Sequence, residues 1–249
     1  MLKVRIIPIL TFNGWSLVKT KQFSQPRIIG NPVQAAKVYN SRNVDELIFL
    51  DINATKENRK LNLKIVKDVI NQCFMPVGIG GGIKTIDDIN ALLRIGADKV
   101  VIKTEALLNP NFVQQAARFF GSQCISVAVD VYGNPEQGYT VDHPKGSAVK
   151  AIEFIREMEQ LGAGEIILTS IENDGMMNGF NLPLIHTAQQ ETTLPVVCVG
   201  GGGALEHYVS LFSNTPCEAV GSASIFHFTQ HTPKDIKAAL GKLGKAVRL

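Results

Sequence analysis

The chain has 249 residues, 45% of them hydrophobic, and a net charge of +3. That length suits one large α/β domain or two small ones, and a mild basic surplus spread along the chain carries no nucleic-acid signature. No apolar run is long enough to span a bilayer, and the four cysteines (Cys73, Cys124, Cys198, Cys217) lie far apart, so free thiols in the cytoplasm are expected, with no metal and no cofactor.

The first ten residues, Met1 to Leu10, have a basic start but no long apolar region or small-residue cleavage site, and read as a first strand rather than a signal peptide. Further apolar, β-branched runs predict strands at Glu46–Ile52, Met75–Ile79, Lys99–Ile102, Ile125–Asp130, Glu165–Ser170, Pro195–Val199 and Ala219–Ser222, after a first strand at Val4–Leu10. Most are apolar throughout their centres, as when protein covers both faces. Amphipathic segments between them predict helices at Pro32–Ser41, Asn62–Gln72, Thr85–Ile95, Asn111–Phe119, Ala148–Gln160, Pro183–Gln190, Leu205–Phe212 and Pro233–Leu243. Asn31 before Pro32, Asn109-Pro110, Asn181 and Thr232-Pro233 are start signals. Eight strand-then-helix units in about 250 residues fit a (βα)8 TIM barrel, with an open doubly wound sheet as the rival.

Two glycine clusters organise the chain. Pro76-Val77-Gly78-Ile79-Gly80-Gly81-Gly82 is echoed by Pro195-Val196-Val197-Cys198-Val199-Gly200-Gly201. Each is a buried strand that ends in bare backbone N–H groups at a helix start, which is either a cradle for an anion or a tight turn without a ligand. Glu46 recurs as Glu165, Pro76 as Pro195 and Thr11 as Asp130, all 119 residues further on. A constant offset predicts one barrel domain over residues 1–249 made of two fused half-barrels, roughly 1–120 and 121–249. It also predicts two facing phosphate sites, hence a long ligand with a phosphate at each end.

Chemistry in such barrels sits at the C-terminal strand ends. There lie Thr11, Asp51, Lys103-Thr104, Asp130, Ser170, Asp174 and Ser222/Ser224. Lys19, in the long loop after strand one, is a solvated lysine or a cation over bound phosphates. Asp130 ends a very apolar strand and is a general acid or base, or a plain turn residue. At the opposite end Arg5, Glu46, Lys99 and Glu165 begin strands with charges of both signs and predict a salt-bridged layer across the bottom.

Several stretches are specific: Asp45-Glu46-Leu47-Ile48-Phe49-Leu50-Asp51-Ile52, Gly80-Gly81-Gly82-Ile83, Gly96-Ala97-Asp98-Lys99-Val100, Asp174-Gly175 and Ser224-Ile225-Phe226-His227-Phe228. Together, from Arg5 to Leu249, they resemble the HisF family, the cyclase subunit of imidazole glycerol phosphate synthase. The resemblance implies a two-half-barrel (βα)8 fold and a heterodimer with a HisH-type glutaminase on the bottom face. Ammonia would pass through the barrel to a bisphosphorylated ribulosyl-formimino substrate, giving imidazole glycerol phosphate and an aminoimidazole carboxamide nucleotide. Arg5, Glu46, Lys99 and Glu165 match the family's gate, and Asp98 a residue that docks the glutaminase. Gly82, Lys103 (Asn is usual there) and Thr104 match one phosphate site; Asp174, Gly175, Gly201, Ala223 and Ser224 match the other. Lys19 matches the family's active-site lysine and Asp130 one of two catalytic aspartates. The second aspartate is replaced here by Thr11, whose hydroxyl does not titrate usefully near neutral pH, and Val199 replaces a usual Ser. A second expectation follows: a paralogue that channels ammonia for acetamidino modification of a sugar in surface polysaccharide. A third is a non-catalytic phosphate-binding scaffold. Neither nucleic acid nor membrane is an expected partner.

Overall fold

The computed structural model describes residues 3–248; Met1, Leu2 and Leu249, and with them the ends of the expected first strand's leader and of the family resemblance, lie outside the described residues. Eight strands form a closed parallel barrel: β1 (Arg5–Phe12), β2 (Leu47–Asp51), β3 (Val77–Gly80), β4 (Lys99–Ile102), β5 (Ile125–Asn134), β6 (Glu165–Ser170), β7 (Val196–Val199) and β8 (Ala219–Ser222). Each pairs with its sequence neighbour; β8 pairs with β1, Arg5 opposite Ala219, so no edge is left open. The open doubly wound alternative is thereby excluded.

The outer ring comprises α1 (Pro32–Ser41), α2 (Leu63–Ile70), α3 (Ile86–Arg94), α4 (Asn111–Phe120), α5 (Ala151–Gln160), α6 (Leu182–Glu191), α7 (Leu205–Asn214) and α8 (Pro233–Lys242). Their starts follow from side-chain caps. Asn31 accepts from Val33 and Gln34 N–H, Asn181 accepts from Leu184 N–H, and Thr85/Asp88 and Thr232/Asp235 form capping boxes. Asn109 gives no such cap: α4 follows Pro110 without a side-chain bond. The expected helix from Ala148 starts at Ala151, because Ala148–Lys150 pairs with Gly138–Asp142 in a hairpin continuing from β5. A second hairpin, Leu17–Lys21 with Ser24–Gly30, replaces the long loop expected after β1. No helix among the described residues is long and apolar enough to cross a membrane.

Side chains alternate across each strand with a period of two. In β1, Ile6, Leu10 and Phe12 join the core between strands and helices, whereas Ile7 and Ile9 join a separate cluster inside the barrel. Ile48, Val101, Ala128, Ile167, Val197 and Ala219 complete that inner cluster, with Leu50 and Val199 packed against it. Burying each Ile, Leu or Val side chain contributes roughly 1.5–3 kcal/mol. A buried pair, Lys237 Nζ to Asp45 Oδ1 at 2.9 Å, ties α8 to the start of β2, and Asp45 also accepts from Ile6 N–H. All four cysteines are free; Cys198 and Cys217 are buried with their Sγ atoms 3.3 Å apart.

Candidate active site

The barrel interior has three levels, set by strand parity. Two residues before Ile7 on β1 is Arg5; two before Ile48 is Glu46; two before Val101 is Lys99; two before Ile167 is Glu165. These four side chains meet at the bottom as an alternating ring. Arg5 reaches Glu46 and Glu165 at 2.7 Å each, and Lys99 reaches the same two carboxylates at 3.0 and 3.1 Å. Ser126 Oγ donates to Glu165 at 3.0 Å. Glu46 is 3% exposed and Glu165 5%. Burial pushes the Glu165 carboxyl up, but the charges and hydrogen bonds of Arg5 and Lys99 outweigh it and hold the group below its ordinary value. Arg5 is held above its ordinary value: burial opposes this, and Glu165 and Glu46 prevail.

Above the ring lies the apolar cluster, and above that the polar mouth. Two residues beyond Ile9, Val101 and Ala128 stand Thr11, Lys103 and Asp130. They line a cavity of about 310 Å³ together with Lys19, Gly82, Thr104, Asp174, Gly175, Gly201, Ala223 and Ser224. Asp51 and Ser222 line it as well, so of the mouth positions singled out in the sequence only Ser170 stands outside this cavity. The two glycine turns require glycine. At Gly81, φ is +118° and a Cβ would lie 2.3 Å from Asp51 O; at Gly201, φ is +106° and a Cβ would lie 1.9 Å from Gly179 O. Ser224 Oγ is buried without a hydrogen-bond partner among the described residues, which leaves a donor open to a ligand.

Four charged groups of the mouth are paired with each other. Lys19, 7% exposed, lies in a hairpin strand rather than a solvated loop, and its ammonium contacts both Asp174 carboxylate oxygens at 2.8 and 3.0 Å. Lys103 Nζ lies 2.5 Å from Asp130 Oδ2. Thr11 Oγ1 donates to Val18 O of the neighbouring hairpin strand. Two of the three lysines and two of the three carboxylates that line the mouth thus form two ion pairs, with Lys56 and Asp51 the others, and the hydroxyl at position 11 is turned to backbone. Three other strand-end candidates serve local structure. Asp51 is held by Arg59 at 2.5 and 2.8 Å and accepts from Asn53 and Ala54 N–H; Ser170 donates to Asn173; Ser222 bonds the Tyr208 hydroxyl. His227, beside the mouth, is held to about 4 by burial and then by the charges of Lys19 and Arg42, so its ring is neutral at pH 7.

Sequence reasoning missed Arg59 and the pairings of Lys103 and Lys19. No local spacing signals them, since Lys19 and Asp174 are 155 residues apart and meet only because the hairpin folds over the loop after β6. Asp98, expected at the docking face, is exposed beside the ring, and one of its oxygens accepts from Val77 N–H at 2.8 Å. On the same bottom face, Phe74 between α2 and β3 is 95% exposed and Phe119 at the end of α4 is 73% exposed.

The closed barrel, with its cavity at the C-terminal strand ends, defines a (βα)8-barrel protein. Residues 5–232 match the family described as "Histidine biosynthesis protein". The chain is 39% identical over 251 residues to the Streptococcus mutans protein named imidazole glycerol phosphate synthase subunit HisF, covering the whole of both chains. It is 41% identical over 252 residues to a Staphylococcus aureus protein of the same name, again over the whole of both. The chain belongs to the HisF family.

Proposed function

We propose that this chain is the ammonia-using subunit of a two-component synthase. A HisH-type glutaminase docks on the bottom face, and ammonia enters through Arg5, Glu46, Lys99 and Glu165. It crosses the apolar cluster and reacts in the mouth with a substrate carrying a phosphate at each end. The observation that carries this reading is the ring of four charges buried directly beneath the mouth cavity on the same strand faces. A purely stabilising network gives no reason for that alignment, since buried ion pairs are often no better than apolar packing. Asp98, Phe74 and Phe119 supply the docking surface, with one carboxylate oxygen and two rings open to a partner. The glycine turns at Gly82 and Gly201, with Thr104, Gly175, Ala223 and the open Ser224 hydroxyl, take the two phosphates. Their 119-residue spacing supports the reading as two half-barrels, roughly 1–120 and 121–249. The four free thiols fit a cytoplasmic complex.

In the family's own chemistry the product is imidazole glycerol phosphate, with Asp130 as the acid/base and Lys19 over the ligand. One observation favours a second reading. Thr11 donates to Val18 O and Asp130 is ion-paired with Lys103, so no free pair of titrating groups faces the ligand. The chain then delivers ammonia to another acceptor, as in acetamidino modification of a polysaccharide sugar. Assay of the purified chain with the bisphosphorylated formimino substrate and high ammonium separates the two. Turnover supports the cyclase. Absence of turnover, with recovery of about 10²-fold or more over background in Thr11→Asp, supports the second.

A further inference from the structure

The pairing of Lys103 with Asp130 does more than neutralise a charge. β4 and β5 are adjacent, with Val101 opposite Ser126 and Ile102 opposite Val127. This register brings the side chains at the two strand ends together over the cavity. Among the described residues, Lys103 is the one ion-pair partner of Asp130. The two partners differ in freedom. The Lys103 side chain is 43% exposed and flexible, whereas that of Asp130 is 11% exposed on a short stem in a buried strand. Lys103 is therefore the member that can move. With its cation side part-exposed and screened, the Lys103 ammonium can be shared between the Asp130 carboxylate and a phosphate dianion in the same cavity.

The hairpin is linked to this pair. Lys103 Nζ lies 5.6 Å from the centroid of the Phe23 ring at the hairpin tip. Phe23 and Gln22 sit at φ +59° and +49°, a left-handed conformation that disfavours a bulky side chain unless outside contacts hold it.

We propose that Lys103 is a latch on Asp130: its ammonium is shared between that carboxylate and an anionic group of the ligand, so that ligand binding draws Lys103 away and frees Asp130. The proposal rests on the reading of the mouth as a phosphate site. Asp130 and the ligand compete for one cation, which gives a signature that a simple binding lysine lacks.

The test is a double-mutant cycle, with inorganic phosphate titrated calorimetrically into the wild-type chain, Lys103→Gln, Asp130→Asn and the double variant. Lys103→Gln is expected to weaken phosphate about tenfold, the scale of one charge-assisted hydrogen bond. Asp130→Asn is expected to tighten it, by about fivefold, because the competing carboxylate is gone. In the Lys103→Gln background the same Asp130 change is expected to shrink to less than about twofold. Lys103→Arg, which keeps the cation, is expected to bind phosphate like the wild type, and this guards against loss through misfolding. Phosphate binding with an equal Asp130→Asn effect in both backgrounds overturns the latch alone. No phosphate binding in any of the variants, wild type included, overturns the phosphate reading of the mouth and the latch with it.

Discussion

Glu165 is where the charge arrangement has a measurable pH consequence. Its carboxyl is held below its ordinary value of 4.5, so the folded chain binds that proton less readily than the unfolded chain. The stabilisation is complete above pH 4.5 and is lost as the pH falls through the lower folded value. Glu165→Gln leaves Lys99 and Arg5 with Glu46 as their one carboxylate partner in the ring. It is expected to cost about 3 kcal/mol of unfolding free energy at pH 7, and less as the pH falls toward 3, as read by urea titration across pH. This ring was legible in the sequence because each charge opens an apolar run and the barrel places run starts together. The mouth was only half legible. Thr11 and Asp130 show at strand ends, but the partners they take, Val18 O and Lys103, depend on the hairpin and on the register between β4 and β5.

At the scale of the element, the eight barrel strands stood out because they are continuous apolar runs buried on both faces. The hairpin over the mouth did not, for a physical reason. Its second strand, Ser24–Gly30, is almost wholly exposed and contains Pro26, so it has neither the alternation nor the β-branched run that marks a strand. Its first strand, Leu17–Lys21, is buried through Thr20 although two of those four residues are polar, a burial that only the docked hairpin explains. The glycine turns make a sharper prediction. A methyl group at Gly201 would collide with Gly179 O at 1.9 Å, with φ already at +106°. Gly201→Ala is expected to lower stability by about 2–4 kcal/mol in denaturant titration, with loss of phosphate binding at that turn. Gly244, also at positive φ but with nothing within 4 Å, is expected to tolerate the same change at a smaller cost.

On the scale of the whole molecule the barrel separates two ends. The bottom carries the ring, Asp98 and the exposed Phe74 and Phe119; the top carries the cavity and both hairpins. Phe74 is 95% exposed, so changing it disturbs no core. Phe74→Lys is expected to weaken binding of the proposed glutaminase partner by about tenfold or more, the size expected for an aromatic anchor, while the melting temperature stays put. Calorimetry with the purified partner and thermal melting of the chain alone measure the two.

The apolar cluster between these ends also sets the proton inventory of the mouth. Ile7, Ile9, Ile48, Val101, Ala128, Ile167, Val197 and Ala219 offer neither an ionisable group nor a hydroxyl in their side chains. Carrying an ammonium ion through them costs several kcal/mol even after relaxation, whereas neutral ammonia has no charge to desolvate. On the proposed path, nitrogen therefore crosses this layer as neutral ammonia. The apolar layer separates the charged ring from the mouth, so a change of charge at the top, at Thr11 or Lys103, leaves the ring's ion pairs untouched.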